Sequence, residues 1–241
     1  MIITQTDTGW QLIHQPAHGL LALQLALNWQ VKKRPVHWPE TLVALTEHDD
    51  GQVPWQARNH LTQAGAPLPF QLVDHSVEQC RNLIQIGLQK SRWNALLMSL
   101  HTSFLYEPQR GSDPELDQFL DEQLANQQTW RTEAKATKAE AAYAYGFLQW
   151  CDALSLILCR NQIPPEERRL EISQGPDRIS YYLQQRGDES LLIDPWPFET
   201  ASVRVHVETF LLTQTIFKSD KQLYQAIQDS EVVVKEWTFR K

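Results

Sequence analysis

Five side chains that could bind a metal ion are spread along the first two thirds of this 241-residue chain. In chain order they are His18, His48, Asp49, His101 and Asp152, and His75 is a further imidazole of the series, between Asp49 and His101. Asp152 lies in the largely apolar segment Leu148–Leu158, where a buried carboxylate without a partner would cost several kcal/mol or would take up a proton. Imidazoles and carboxylates together suit one or two hard or borderline divalent ions. The pattern therefore predicts a metal centre.

Each of these side chains also has a purely structural explanation. His18 could bond to the backbone at the start of a helix, and His48-Asp49 could form a polar helix end. His101 could be a core imidazole with a local hydrogen bond, and Asp152 could pair with an arginine. It is the combination and the order of these residues that favour metal binding.

Composition limits the class of protein and its partners. Apolar residues make up 42% and charged residues 21%, as in an ordinary globular protein. A formal charge of −7 argues against a nucleic acid polymer as partner, for which a basic face is expected. The chain does not begin like a signal peptide, and no apolar run approaches the roughly 20 residues that span a bilayer. We expect a cytoplasmic protein with no membrane partner, and a homo-oligomer is left open.

Helix signals surround the candidate ligands. The Leu- and Ala-rich segment Ala17–Trp29 predicts a buried helix with His18 near its first turn, and Pro39 begins a helix that ends at His48-Asp49. The remaining predicted helices run from Ser76 to about Lys90, from Ser91 through His101, from Asp113 onward, and from about Lys138 to Arg160.

Both ends of the chain show strand patterns. The first 14 residues predict a β-hairpin around the turn Asp7-Thr8-Gly9, and Val203–Glu208 alternates with period two. The other strand candidates are Leu170–Ile172, Ile179–Tyr182 and Val232–Trp237.

These patterns predict a mainly α fold with a small antiparallel β appendage, which combines an N-terminal hairpin with C-terminal strands. We expect an N-terminal hairpin over residues 1–14 and a helical metal-binding core over residues 15–165. A β-rich extension over residues 166–241 would pack on that core as part of one unit. On this prediction, all candidate ligands lie in the helical core.

Four segments resemble the metal-binding helices of the HD-domain superfamily. They are Ala17–Ala26, Leu42–Gly51, Leu100–Thr102 and Trp150–Ser155. The similarity covers roughly residues 15–160 and does not explain the C-terminal third, while the whole chain also resembles an uncharacterised bacterial family of unknown function. The resemblance implies an HD-like multi-helix bundle that brings the five candidate ligands together. His75 falls where two-metal members place an additional histidine, and is a sixth candidate ligand.

The resemblance also implies a chemistry. We expect a metal-dependent phosphohydrolase that uses a metal-activated water on a nucleotide or another small phosphorylated molecule. The number of histidines favours Mn or Fe over Mg for the one or two divalent ions. Asp50 and Glu47 are the candidate catalytic residues, as groups that orient the water or accept its proton.

One feature departs from the pattern of the superfamily. Many hydrolytic members follow the His-Asp pair with a short turn and a lysine that contacts phosphate, whereas this chain continues Asp50-Gly51-Gln52. Lys90, Arg92 and Arg160 are the candidate replacements. Two alternatives therefore stay open: a di-iron oxygenase with the same ligands, and a non-catalytic binding or regulatory module.

Overall fold

The computed structural model describes residues 1–51, 59–73 and 76–241. Helices account for 47% of the chain and strands for 22%. The helices are α1 (Gln15–Leu27), α2 (Trp38–Glu47), α3 (Val77–Leu88), α4 (Arg92–Tyr106), α5 (Pro114–Glu133), α6 (Lys138–Cys159) and α7 (Asp220–Gln228). None of these helices, in the part of the chain described, is both long and apolar enough to cross a membrane.

Side-chain caps explain where the central helices begin. The side chains of Ser76, Ser91, Asp113 and Thr137 each accept a hydrogen bond from a backbone N–H two or three residues further on. Thr137 also forms a reciprocal capping box with Glu140. The helix starts predicted from Ser76, Ser91 and Asp113 are confirmed, and so is the start predicted at about Lys138.

The strands form one seven-stranded sheet. They are β1 (Ile2–Thr6), β2 (Gly9–Ile13), β3 (Arg169–Gln174), β4 (Ser180–Gln185), β5 (Leu191–Asp194), β6 (Ser202–Leu212) and β7 (Glu231–Arg240). The order across the sheet is β1-β2-β6-β7-β5-β4-β3, and only the contact between β5 and β7 is parallel. The sheet is curled into a half-barrel.

The prediction of a mainly α fold with a small β appendage is therefore wrong, as is an all-α class. The N-terminal hairpin and the C-terminal strands belong to the same large sheet, because β2 pairs with β6 through Trp10 and Leu212. Val203, Val205 and Val207 are buried on one face of β6, and α1 packs against this strand. The predicted appendage already combined the N-terminal hairpin with the C-terminal strands, and what the prediction missed is the size of the sheet. Short strands such as β5 leave too little periodic pattern to be recognised.

Helices and sheet share one apolar core. The rings of Trp29 and Trp150 lie 4.9 Å apart, and Trp150 lies 5.4 Å from Tyr181 of β4. All three side chains are at most 1% exposed. Trp93 and Trp130 are also buried, so the prediction that these four tryptophans belong to the core is confirmed. The helical layer and the sheet thus stabilise each other through aromatic packing.

A single glycine sets the distance between the first two helices. A Cβ atom at Gly19 of α1 would collide with the carbonyl oxygen of Thr46 in α2. Only glycine, which has no side chain, therefore permits this close approach. The approach matters for function because Gly19 follows His18, and Thr46 lies two residues before His48.

Candidate metal centre

His18 and His48 present the same ring nitrogen to each other. His18 lies in the first turn of α1 and His48 directly follows α2, and both are buried. Nδ1 of His18 donates to the carbonyl oxygen of Gln15, and Nδ1 of His48 donates to that of Leu45 at 2.7 Å. A carbonyl can only accept, so each neutral ring carries its proton on Nδ1 and leaves the lone pair of Nε2 free. These two Nε2 atoms face each other at 3.3 Å.

Two carboxylates complete this group of donor atoms. Oδ1 of Asp152, from the middle of α6, lies 3.4 Å from Nε2 of His18 and 3.2 Å from Nε2 of His48. Oδ2 of Asp49 lies 3.4 Å and 3.9 Å from the same two nitrogens. Oδ1 of Asp152 is buried and, as long as both Nε2 atoms are unprotonated, accepts no hydrogen bond from the residues described, which is costly for a carboxylate oxygen.

His101 supplies a third imidazole from the middle of α4. Its ring meets that of His48 edge to face, with centroids 5.0 Å apart, and the hydroxyl of Tyr145 lies 3.5 Å from its Nδ1. Two groups of possible metal ligands result, and the donor atoms within each group lie within 4.8 Å of one another. The first contains His18, His48 and Asp49, and the second contains His48, His101 and Asp152.

Gln15 holds two of these candidate ligands in place. Its backbone carbonyl fixes the ring of His18, and its side-chain Nε2 donates to Oδ2 of Asp49 at 2.9 Å. Because a carboxylate can only accept, this bond fixes the orientation of the Gln15 amide. Its Oε1 is then left buried without a partner among the described residues, on the wall of the pocket.

The charges in the cluster depend strongly on one another. Burial alone would lower the pKa of His48, but the negative charges of Asp49 and Asp152 outweigh it and raise this pKa to about 10. Burial opposes ionisation of the two carboxyls, yet the positive charge of His48 holds the pKa of each below its ordinary value. Burial and the charge of His48 lower the pKa of His101 to about 4. Without a metal, the site therefore carries a proton on His48 between two carboxylates.

The cluster forms one side of a pocket of about 150 Å³. Gln15, His48, Asp49, His101 and Asp152 lie along its polar side. The rest of the wall comes mainly from α3, α4, the end of α6 and the turn Phe70–Leu72. A small ligand in the pocket would therefore contact the candidate metal ligands directly.

The other predicted site residues lie elsewhere. His75 falls outside the residues that the structure describes. Glu47 forms an ion pair with Lys90 at 2.9 Å, and neither Glu47 nor Asp50 lines the pocket or contributes to the ligand groups. Asp50 is half-buried, and burial together with the negative charge of Glu47 raises its pKa. The structure thus brings five of the predicted residues together, whereas Glu47 and Asp50 lie beside this group.

Gln15 and Tyr145 were not predicted as site residues. Gln15 precedes His18 by three residues, so a helix through both places its carbonyl below the imidazole, and this spacing was a usable signal. Tyr145 lies seven residues before Asp152, two turns earlier on the same face of α6. Nothing in its local sequence indicates which helix it faces.

Comparison with known proteins gives a family but no activity. Neither a curated protein nor a solved structure matches this chain. One family model matches residues 1–214, which include all five clustered residues and most of the sheet up to β6. The chain therefore belongs to the family described as protein of unknown function DUF3891.

Proposed function

We propose that the five clustered residues form a centre for at least one divalent metal ion. The observation that carries this proposal is the pair of buried Nε2 lone pairs of His18 and His48, which face each other at 3.3 Å. Two lone pairs at this distance repel unless a positive charge lies next to both. In the free protein a proton on His48 supplies that charge. A metal ion would replace this proton and would also bind the carboxylates.

The spacing and chemistry of the donor atoms fit such an ion. Two ligands about 2.1 Å from one ion and at right angles to each other lie about 3 Å apart. The contacts of Asp152 with His18 and His48 are 3.4 Å and 3.2 Å. The buried Oδ1 of Asp152, which depends on the proton of His48 for a partner in the free protein, would gain a bond to the ion. Three imidazoles favour Mn or Fe over Mg, which prefers oxygen ligands.

The two ligand groups overlap in a single centre. His48 belongs to both groups, and one imidazole nitrogen binds one ion. Binding of a second ion would therefore depend on the carboxylates, on His101 and on further donors. The proposal requires one ion and allows a second.

The reaction that we propose is hydrolysis of a small phosphate ester. The resemblance to the HD-domain superfamily supports this choice, as does a pocket that opens onto the ligands. A bound divalent ion supplies an acidified water and neutralises charge on a phosphoryl oxygen. The chain itself holds the ligands through the backbone bonds of His18 and His48 and through Gln15. Glu47 and Asp50 receive no role, because neither reaches the pocket.

An oxygenase is the second candidate, and one observation favours it. Each ligand group consists of two histidines and one carboxylate, the set used by non-haem iron oxygenases. Oxygen consumption that depends on bound iron would identify this activity. Phosphate release without oxygen consumption would identify the hydrolase.

Metal analysis tests the proposal first. We expect elemental analysis of the untagged protein to find close to one Mn or Fe per chain, and almost none in Asp152→Asn. Asp121→Asn is the matched control, since Asp121 is an exposed aspartate of α5 outside the pocket. A wild-type protein that binds no metal after reconstitution would falsify the metal centre and leave the non-catalytic binding module as the better account. Metal-loaded protein is then assayed for phosphate release from a panel of esters and, in parallel, for oxygen uptake.

A further inference from the structure

The pocket beside the candidate metal centre has two sides of different chemistry. Apart from the candidate ligands, its wall is formed largely by big, mostly apolar side chains. They are Phe70, Leu83, Leu105, Tyr106 and Leu156. Leu83 and Tyr106 are buried, whereas Leu105 is 42% exposed and lies where the wall meets solvent. A ligand that fills the pocket therefore places one end on polar donors and the other on apolar carbon.

Cationic side chains are missing from the part of this wall that the structure describes. Within residues 1–51, 59–73 and 76–241, no lysine or arginine lines the pocket. Lys90 pairs with Glu47 and Arg92 pairs with Glu133. Arg160 stacks on the ring of the wall residue Phe70 at 5.0 Å, but it is not among the described residues that line the pocket. Among the described residues, therefore, no cationic side chain contacts a phosphate ester in the pocket directly.

The charge of the centre adds little attraction for phosphate. The carboxylates of Asp49 and Asp152 together carry two negative charges, which one divalent ion cancels. A centre with one ion is then nearly neutral towards an approaching phosphate dianion. Most of the binding free energy must then come from the part of the ester that is not phosphate. The apolar wall can supply it through burial of apolar surface.

The size of the pocket limits that apolar part. A cavity of about 150 Å³ with apolar walls holds a molecule of the size of benzene. The pocket has this volume and must also take the phosphate group beside the candidate ligands. The apolar part is therefore no larger than a single aromatic ring or a compact branched alkyl group.

We infer that the substrate is a phosphate monoester of a compact apolar alcohol, with an aryl or branched alkyl group held against Phe70, Leu83, Leu105, Tyr106 and Leu156. This inference rests on the hydrolase proposed above and specifies its substrate class. Water would form a new bond to phosphorus as the bond from phosphorus to the alcohol oxygen breaks. One proton of that water passes to the leaving oxygen, so the products are the free alcohol and hydrogen phosphate.

Binding of two phosphonates to the metal-loaded, full-length protein tests the inference. Phenylphosphonate and methylphosphonate share a phosphonate head group, which contains no ester bond to hydrolyse. They differ only in the apolar group. Isothermal titration should give a dissociation constant roughly tenfold or more lower for phenylphosphonate, because the ring buries apolar surface. Leu105→Asn should reduce this ratio at least threefold. Leu105 is partly exposed, so the substitution is compatible with folding.

The matched control is Leu124→Asn. Leu124 is 55% exposed on α5 and does not line the pocket, so its ratio should equal that of the wild type. Equal affinity for the two phosphonates, or no binding of either by protein that contains metal, would overturn the inference and leave the metal centre in place. Absence of metal from the wild type is a different failure, because it removes the proposed function itself.

Discussion

Helices α1 and α6 lie between two buried regions of opposite character. On the side of the sheet, Trp29 and Trp150 pack with Tyr181 in a fully apolar environment. On the other side, His18 and Asp152 meet across a few ångströms in a cluster of ionisable groups. Trp150 and Asp152 are only two residues apart, so one helix turn faces both environments.

The two regions differ in what they contribute to the free energy of folding. Burial of an aromatic side chain stabilises the fold by several kcal/mol. Burial of imidazoles and carboxylates is costly, and an apolar replacement of similar shape is often neutral or stabilising. A chain that keeps five such groups in contact therefore gains something other than stability from them. This contrast is the strongest physical argument for a function at the cluster.

Removal of a buried aromatic side chain should have the largest effect, and this effect is on stability. Trp150→Ala should lower the free energy of unfolding by about 3–5 kcal/mol, because a fully buried ring leaves a cavity. The metal content of the protein that remains folded should stay near that of the wild type. Chemical denaturation and elemental analysis measure the two quantities. Trp10→Ala is the control, because Trp10 is partly exposed. A loss of metal without a loss of stability in Trp150→Ala would contradict the idea that the aromatic core and the metal centre contribute separately.

Gly19→Ala should affect both regions at once. The added methyl group pushes α1 away from Thr46, and overpacking of this kind costs about 1–3 kcal/mol. The same displacement separates His18 from His48, so metal content should fall together with stability. Gly187→Ala is the control, since a Cβ there meets only the side chain of Glu167, at 3.5 Å. Wild-type metal content in Gly19→Ala would show that the helix contact does not set the site.

Gln15→Leu should affect the candidate metal centre and leave the aromatic core unchanged. The leucine removes the hydrogen bond to Asp49 but keeps the backbone carbonyl that holds His18. Loss of a group that orients a metal ligand typically lowers metal affinity 10–100-fold. Competition with a fluorescent chelator measures this affinity. Gln85→Leu, on the exposed face of α3, should leave it unchanged. An unaltered affinity in Gln15→Leu would mean that Asp49 needs no support or is not a ligand.

A change of pH should have the smallest effect of the four, and the quantity that changes is the metal affinity. The pKa of His48 in the metal-free protein is raised to about 10, so the ring is protonated at pH 7 and at pH 8. A metal ion must displace that proton, and its affinity should rise about tenfold per pH unit in this range. The carboxyls of Asp49 and Asp152 have lowered pKa values and add no proton there. Titration calorimetry in buffers of different ionisation enthalpy counts the released protons, and a count of zero would show that His48 is not a ligand.

Local signals in the sequence were sufficient for the helices of the site. Ser91 and Thr137 cap the helices that carry His101 and Asp152, and a capping side chain acts within three residues of its partner. The clustering of the five residues was expected from the order of the segments and from the resemblance. Proximity of this kind depends on how helices pack, which no local pattern encodes.

Local signals did not predict the extent of the sheet or the finer parts of the site. Strand β5 is only four residues long, and α7 has a short amphipathic pattern among polar residues, so neither was predicted. Gln15 and Tyr145 act through contacts with single atoms of other residues. The shape and the apolar wall of the pocket depend on four separate segments of the chain. These features follow from tertiary packing, and only the structure contains it.

The pairing of β2 with β6 also determines when the candidate site can form. Helix α1 begins two residues after β2, and β2 is held by a strand that ends at Leu212. A ribosome makes the chain from its N-terminus, so His18 emerges long before its supporting strand exists. Contacts between such distant segments are slow to form. We therefore expect the ligands of α1 to take up their positions only after the chain has been made as far as Leu212.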